Sequence, residues 1–197
     1  MTKPRIGIVI STTREGRFGE KAARWIRDIA AARGDMEVEI VDLRDYPMPF
    51  FEEAASPRFA PPKDEAALRW GRKVAELDGF IFVTGEYNHG PPAVLKNALD
   101  YAYHEFGRKV AGFVGYGGVG GARAVEQLRL INIELRMAST GAAVHIGGAD
   151  FIAMFLQGKS FADLPHLDPT ADVMLDELAW WANALKAART AQVANAA

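Results

Sequence analysis

Cysteine is missing from the 197-residue sequence, and that excludes disulfides, thiolate metal sites and a cysteine nucleophile. An excess of either charge is missing too: 23 Lys and Arg face 25 Asp and Glu, a formal net charge of -2. With no run of basic residues, there is no electrostatic reason to bind nucleic acid or an anionic membrane. No apolar stretch approaches the roughly 20 residues of a membrane-spanning helix. The opening MTKPRIGIVIS does not read as a signal peptide, so a cytoplasmic protein is expected. The Walker pattern, GxxxxGK followed by Ser or Thr, occurs nowhere.

The residues present describe an ordinary soluble chain, 49% apolar and 24% charged, and its length suits one domain over 1–197. RIGIVIS (5–11) is apolar and rich in β-branched residues, as a strand covered on both faces should be. In the next segment Ala22, Ile26, Ile29 and Ala30 recur at helical spacing before Gly34. MEVEIVDL (36–43) alternates like a sheet edge, whereas GFIFVTG (79–85) and KVAGFVGYGG (109–118) do not and read as interior strands. AAVHIG (142–147) is a weaker fifth strand. Helices are expected over 63–77, 91–106 and 121–137, the last with Ala124, Leu128, Ile131 and Leu135 on one face. Another is expected near the end, with a stripe of Leu175, Leu178, Ala179 and Ala182. Five alternations of strand and helix imply parallel crossovers and a doubly wound α/β domain. The edge-like second strand fits the order 2-1-3-4-5. The long irregular stretch 43–62 reads as a cover over a site or an interface.

Ligands of such sheets bind beyond the carboxyl ends of the strands, where strand order reverses. Three loops meet there. STTREGRFGE, after the first strand, has the composition of a phosphate loop: hydroxyls, glycines, two arginines and a following helix N-terminus. GEYNHGPP, after the third, sets Glu86, Tyr87, Asn88 and His89 at a strand end, where the edge of a planar heteroaromatic ligand could satisfy them. Pro91 and Pro92 then open a helix at no cost in N–H bonds. GYGGVGGARA, after the fourth, places Gly115, Gly117 and Gly120 as G-x-G-x-x-G. A Rossmann fingerprint would belong on the first βα unit, with an acidic residue closing the next strand; here the candidate, Glu134, falls in a helical stripe. A glycine-rich backbone lying against a ring system accounts for the same residues.

Taken together these segments resemble the NAD(P)H-dependent FMN reductase family, whose members carry a first loop like G-S-T-R-x-G-R, a second like P-E-Y-N followed by P-x-x-L-K-N-A-x-D, and a glycine-rich third before A-V-E-Q-L-R. Here they read STTREGR, GEYNHGPPAVLKNALDY and YGGVGGARAVEQLR. Ser11 stands where glycine is common and Gly85 where proline is, and no serine lies between Tyr116 and Ala122. The resemblance implies a flavodoxin-like fold and an FMN enzyme that takes hydride from NADPH or NADH and passes electrons to a small acceptor. By it, Thr12, Arg14, Arg17, Phe18 and Gly19 cradle the FMN phosphate and ribityl chain. Glu86, Tyr87, Asn88 and His89 line the ring, with Gly117 and Gly118 near its pyrimidine edge. It further implies a homodimer or homotetramer, with Tyr101, Tyr103, Phe106 and the 43–62 stretch as candidate partner surface. Lys96, Asn97 and Asp100 would hold a loop or a subunit contact, and Trp180 and Trp181 are expected in the core. The alternative is a flavodoxin-type electron carrier without nicotinamide chemistry; the near-neutral charge disfavours the acidic docking face such carriers use.

Overall fold

The computed structural model describes residues 2–194. Strand β1 (Arg5–Ile10) lies between β2 (Glu37–Asp42) and β3 (Gly79–Gly85), and β4 (Val110–Tyr116) follows β3, all in parallel register. The order is β2-β1-β3-β4-β5, as the sequence pattern predicts. Side chains of the interior strands alternate between two apolar clusters because successive residues point to opposite faces. Ile6, Ile8, Ile81, Val83 and Val114 join one cluster with helices α1 (Gly19–Arg33) and α6 (Asp168–Ala194). Val9, Phe80, Phe82 and Phe113 join the other with α2 (Glu65–Glu76), α3 (Ala93–Asp100) and α4 (Ala122–Glu134). Both faces of the sheet are thus covered, which is why β3 and β4 are buried at every residue. β2 keeps Glu37 exposed at the sheet edge.

Of the strand expected over 142–147, Val144–Ile146 forms β6, and a two-residue strand β5 (Ala138–Ser139) not expected from the sequence precedes it, each paired with β4. The cause of the break lies between them. The N–H groups of Gly141 and Ala142 turn to the Glu177 carboxylate on α6 at 2.8 and 3.1 Å, and so leave the ladder. A helix not foreseen from the sequence, α5 (Gly148–Leu156), follows at once, since the glycines around it mask its periodicity. The helix expected over 91–106 stops at Asp100, and a separate 3-10 turn spans His104–Phe106.

Two aromatics proposed for a partner surface are core instead. Phe106 is buried against Trp70 and Phe80, and Tyr101 against Phe51. Tyr103 is half-buried beneath the guanidinium groups of Arg58 and Arg136. Trp181 packs partly on the core, but Trp180 is 65% exposed, so the core expectation holds for one of the pair. The 43–62 stretch opens with a 3-10 turn at Leu43–Asp45 and is pinned by Asn97, which donates to Pro49 O at 2.7 Å and accepts from Phe51 N–H at 2.9 Å. Lys96 pairs with Asp100 one helical turn away.

Candidate functional site

The loop after β1 is shaped by two arginines, Arg17 from within it and Arg44 from beyond β2. Ser11 N–H extends the ladder to Val83 O, and Thr12 is buried with its Oγ1 3.1 Å from Tyr116 Oη. Arg17 then folds inward. Its guanidinium holds both oxygens of Asp42, at the end of β2, and donates to Thr12 O at 2.6 Å. Arg44 donates to Thr13 O at 3.0 Å and to Arg14 O at 2.7 Å. Three successive carbonyls are therefore drawn to one side. Across a trans peptide the following N–H points the opposite way, so the N–H groups of Thr13, Arg14 and Glu15 face away from the arginines. None of the three has a protein acceptor among the described residues. Consecutive unpaired amides of this kind make a nest for an anion, and the N-terminus of α1 lies four residues on.

Arg17 is thereby corrected from a free phosphate ligand to a brace: its side chain is 3% exposed and committed to Asp42. Burial resists the charge on Asp42, but the hydrogen bonds from Arg17 and from Arg44 N–H outweigh it and hold the carboxyl below its usual range. The same Asp42 bond raises Arg17 further. Phe18 is buried and packs among Tyr116, Phe151 and Phe161. Gly19 starts α1 where a Cβ would sit 2.8 Å from Tyr116 Oη.

After β3, Glu86 also differs from the expectation. Its carboxylate accepts from Arg123 N–H at 3.0 Å and pairs with the Arg123 guanidinium, so it caps α4 rather than facing a ring. Burial opposes its ionisation; the Arg123 bonds prevail and lower its pKa. The next four residues form a tight turn in which Tyr87 and Gly90 exchange N–H···O bonds at 3.0 Å each. Asn88 and His89 occupy left-handed backbone, φ 50° and 66°. Non-glycine residues hold that conformation only where the surroundings enforce it, and here the turn thrusts Tyr87, Asn88 and His89 outward, all exposed. Arg14 Nε donates to Tyr87 Oη at 3.1 Å and joins this turn to the first loop.

Thr12, Thr13, Arg14, Tyr87, Pro92, Ala93 and Val94 line a cleft of about 360 Å³. Beyond Tyr87 a second cleft, about 500 Å³, is lined by Asn88, Gly90, Pro91, Lys96, Gln127 and Ile131 among others. The sequence-predicted Thr12, Arg14 and Tyr87 thus share one cleft and Asn88 stands in the next, while His89, Gly117 and Gly118 line neither. A Cβ at Gly117 or Gly118 would meet nothing within 4 Å, so that turn offers bare backbone to open space. Gly121, at φ 68°, is packed so closely that a Cβ would lie 2.9 Å from Gly115 Cα.

Asp42, Arg44, Arg123 and Tyr116 escaped the sequence reading. They lie 25 to 104 residues from the groups they hold, and no local pattern announces such pairs. The first cleft has no carboxylate, histidine or lysine in its lining, and no metal-binding group of three acidic or histidine side chains occurs among the described residues. What the site provides is anion-binding backbone, one cationic side chain, an aromatic ring and apolar wall. That set fits a phosphorylated aromatic cofactor that brings its own reactivity.

The family model for NADPH-dependent FMN reductase matches residues 4–150. The chain is 36% identical over 141 residues to an NAD(P)H-dependent FMN reductase of Schizosaccharomyces pombe, covering 70% of each. It is 31% identical over 108 residues to a 2-hydroxy-1,4-benzoquinone reductase of a Burkholderia species, 55% of each. Its fold matches the flavoenzyme NAD(P)H:(acceptor) oxidoreductase of Paracoccus denitrificans with a TM-score of 0.68 at 20% identity, over 89% of this chain and 97% of that one. The matched span holds all three loops of the rim, and the chain belongs to the NADPH-dependent FMN reductase family, oxidoreductases that use FMN and a nicotinamide donor.

Proposed function

We propose that the two adjoining clefts form one FMN site in which a nicotinamide donor and a quinone acceptor are used in turn. The observation that carries this is the orientation of the first loop, whose three unpaired N–H groups face away from Arg17 and Arg44. Those amides and Arg14 hold the FMN phosphate, and Thr12 and Gly19 border its ribityl chain. Tyr87 and Asn88 bound the ring, with the Gly117–Gly118 backbone at its edge and His89 at its outer margin.

Bound FMN supplies the hydride and electron transfer. The chain's own side chains bind and orient: Arg14 neutralises the anion while its bond to Tyr87 fixes the ring wall. Pro92, Ala93 and Val94 keep water from one side of the cleft. No carboxylate or histidine lines either cleft, and Lys96 is held by Asp100; donor and acceptor share the open side and turnover is ping-pong. A quinone acceptor follows the name of the Burkholderia relative. No helix among the described residues is long and apolar enough to cross a membrane, in keeping with work on soluble substrates in the cytoplasm. The FMN-loaded protein, mixed anaerobically with NADPH, should lose its flavin absorbance within seconds and regain it with benzoquinone. Double-reciprocal plots at several quinone concentrations should be parallel. Unchanged absorbance would leave an electron carrier, and converging lines would exclude alternate use of one site.

A further inference from the structure

At the opposite rim of the sheet, before β4 and β5 begin, a pocket of about 280 Å³ is lined by His104, Gly107, Arg108, Arg136, Arg189 and Gln192. Four of its six walls can carry positive charge and none is acidic. Neither Arg108 nor Arg136 has a carboxylate within 4.0 Å among the described residues. Arg108 donates to Gln192, and Arg136 reaches only His104 Nδ1, at 3.4 Å, and the Tyr103 ring. The nearest acids are spent. Asp78 is shared by Arg189, Lys186 and Arg5 N–H, and Glu105 accepts from Tyr103 N–H at 3.1 Å.

The backbone presents these side chains deliberately. Arg108 and Arg136 both hold left-handed conformations, φ 61° and 56°, which side-chain-bearing residues adopt at a cost. Arg108 N–H donates to Arg136 O at 2.8 Å and its carbonyl accepts from Arg189 Nη1 at 2.5 Å. The three arginines are therefore tied to one another through main chain, and their like charges stay gathered around one hollow. Arg189 is paired with Asp78, but the guanidinium groups of Arg108 and Arg136 have no carboxylate beside them among the described residues, an arrangement that an anion would offset, and forked donors suit phosphate oxygens.

We propose that this pocket binds a phosphate-bearing anion of diphosphate size. Its volume of about 280 Å³ falls just below the range of ligand pockets, roughly 300 to 1,000 Å³, enough for a diphosphate but not for a whole dinucleotide. The site lies at the amino-terminal ends of the strands and the flavin clefts at the carboxyl ends, so both can be filled together. The inference stands independently of the acceptor and of the ping-pong scheme.

Titration calorimetry of the FMN-loaded protein with inorganic pyrophosphate at low salt tests it, since bound FMN keeps the probe out of the first-loop nest. Saturable binding is expected, weakened tenfold or more by Arg136→Gln and by Arg108→Gln, with flavin content and NADPH oxidation unchanged. Arg136→Lys, which keeps the charge, should recover part of the affinity. ADP in place of pyrophosphate separates the sources: tighter binding identifies a nucleotide tail, equal binding a free phosphate compound. No saturable heat at concentrations up to roughly 1 mM, the weakest affinity on the usual scale, or affinity that both glutamine variants leave intact, would overturn the proposal. Should one variant lose its flavin, the other gives the same reading.

Discussion

Asp42 closes β2 with Arg17 on both carboxylate oxygens and Arg44 N–H on one of them. The Arg17 side chain is almost fully buried, so Asp42→Asn would strand a guanidinium in the interior. Removing one partner of a buried pair costs roughly 3 kcal/mol, and that loss in urea denaturation is the expected outcome. Because Arg17 also holds Thr12 O, FMN should be released more readily from the same variant. Unchanged stability would mean that Arg17 finds another partner. Arg14→Ala tests the opposite case, an exposed side chain that braces nothing buried. A hydrogen bond to a charged group contributes about 1.5–3 kcal/mol, so FMN affinity by fluorescence titration should fall roughly tenfold to a hundredfold while the melting temperature of the apoprotein stays put. Thr12, Arg14 and Tyr87 line one cleft and Asn88 the next, a grouping that the motifs make legible because these residues lie beside one another within them. The contacts that claim Arg17, Phe18 and Glu86 are not legible there, because a motif records which residue types occur, not which partner from a distant element claims them.

Elements were legible wherever both faces of a strand or one stripe of a helix are apolar. The burial of Phe80 through Val83, and of Ala124 and Leu128, follows the predicted periodicity residue by residue. Legibility failed where a single side chain redirects the backbone, as Glu177 does between β5 and β6, or where glycines bracket a short helix, as at α5. Lys109, at the start of β4, belongs with these hidden determinants. It is buried, and its Nζ donates to Val74 O at 2.6 Å and Ala75 O at 3.1 Å, closing the carboxyl end of α2. Burial, aided by the charge of Arg189, lowers its pKa from 10.5 to about 8. Between those two values the unfolded chain binds more protons than the folded one, so stability rises with pH across that window. Below pH 8 the folded protein carries the buried charge at a cost of roughly 3 kcal/mol. Lys109→Met removes the titration, so the wild type should improve relative to the variant by about 2–3 kcal/mol between pH 7.5 and 10. A stability difference that stays flat over this range would show that the folded amine keeps its ordinary pKa and its charge despite burial.

On the scale of the whole molecule, the family match ends at residue 150, just inside α5, so most of α5 and all of α6 lie outside it. α6 nevertheless supplies Met174, Leu175 and Leu178 to the core under β4, and packs on the face opposite α3 and α4. That leaves the α3–α4 face as the surface beside the clefts. A hollow of about 260 Å³ there is lined by Arg58, Leu99, Tyr103, Glu134 and Leu135 among others, and it shares Lys96 and Ile131 with the cleft beyond Tyr87. Leu130, on the same helix as Ile131, is 69% exposed, and the hollow is apolar at its centre with the Lys96–Asp100 and Arg58–Glu134 pairs around it. An apolar centre with a charged rim is the make-up of a subunit contact, and a second copy seated here would close the open side of the cleft. Light scattering after gel filtration should therefore give about twice the 21.5 kDa chain mass. Leu130→Asp, which sets like charges near a two-fold contact, should return the mass to one chain and raise the quinone KM without unfolding the protein. A wild-type monomer would leave the cleft open in solution, and a dimer indifferent to Leu130→Asp would move the contact to another face.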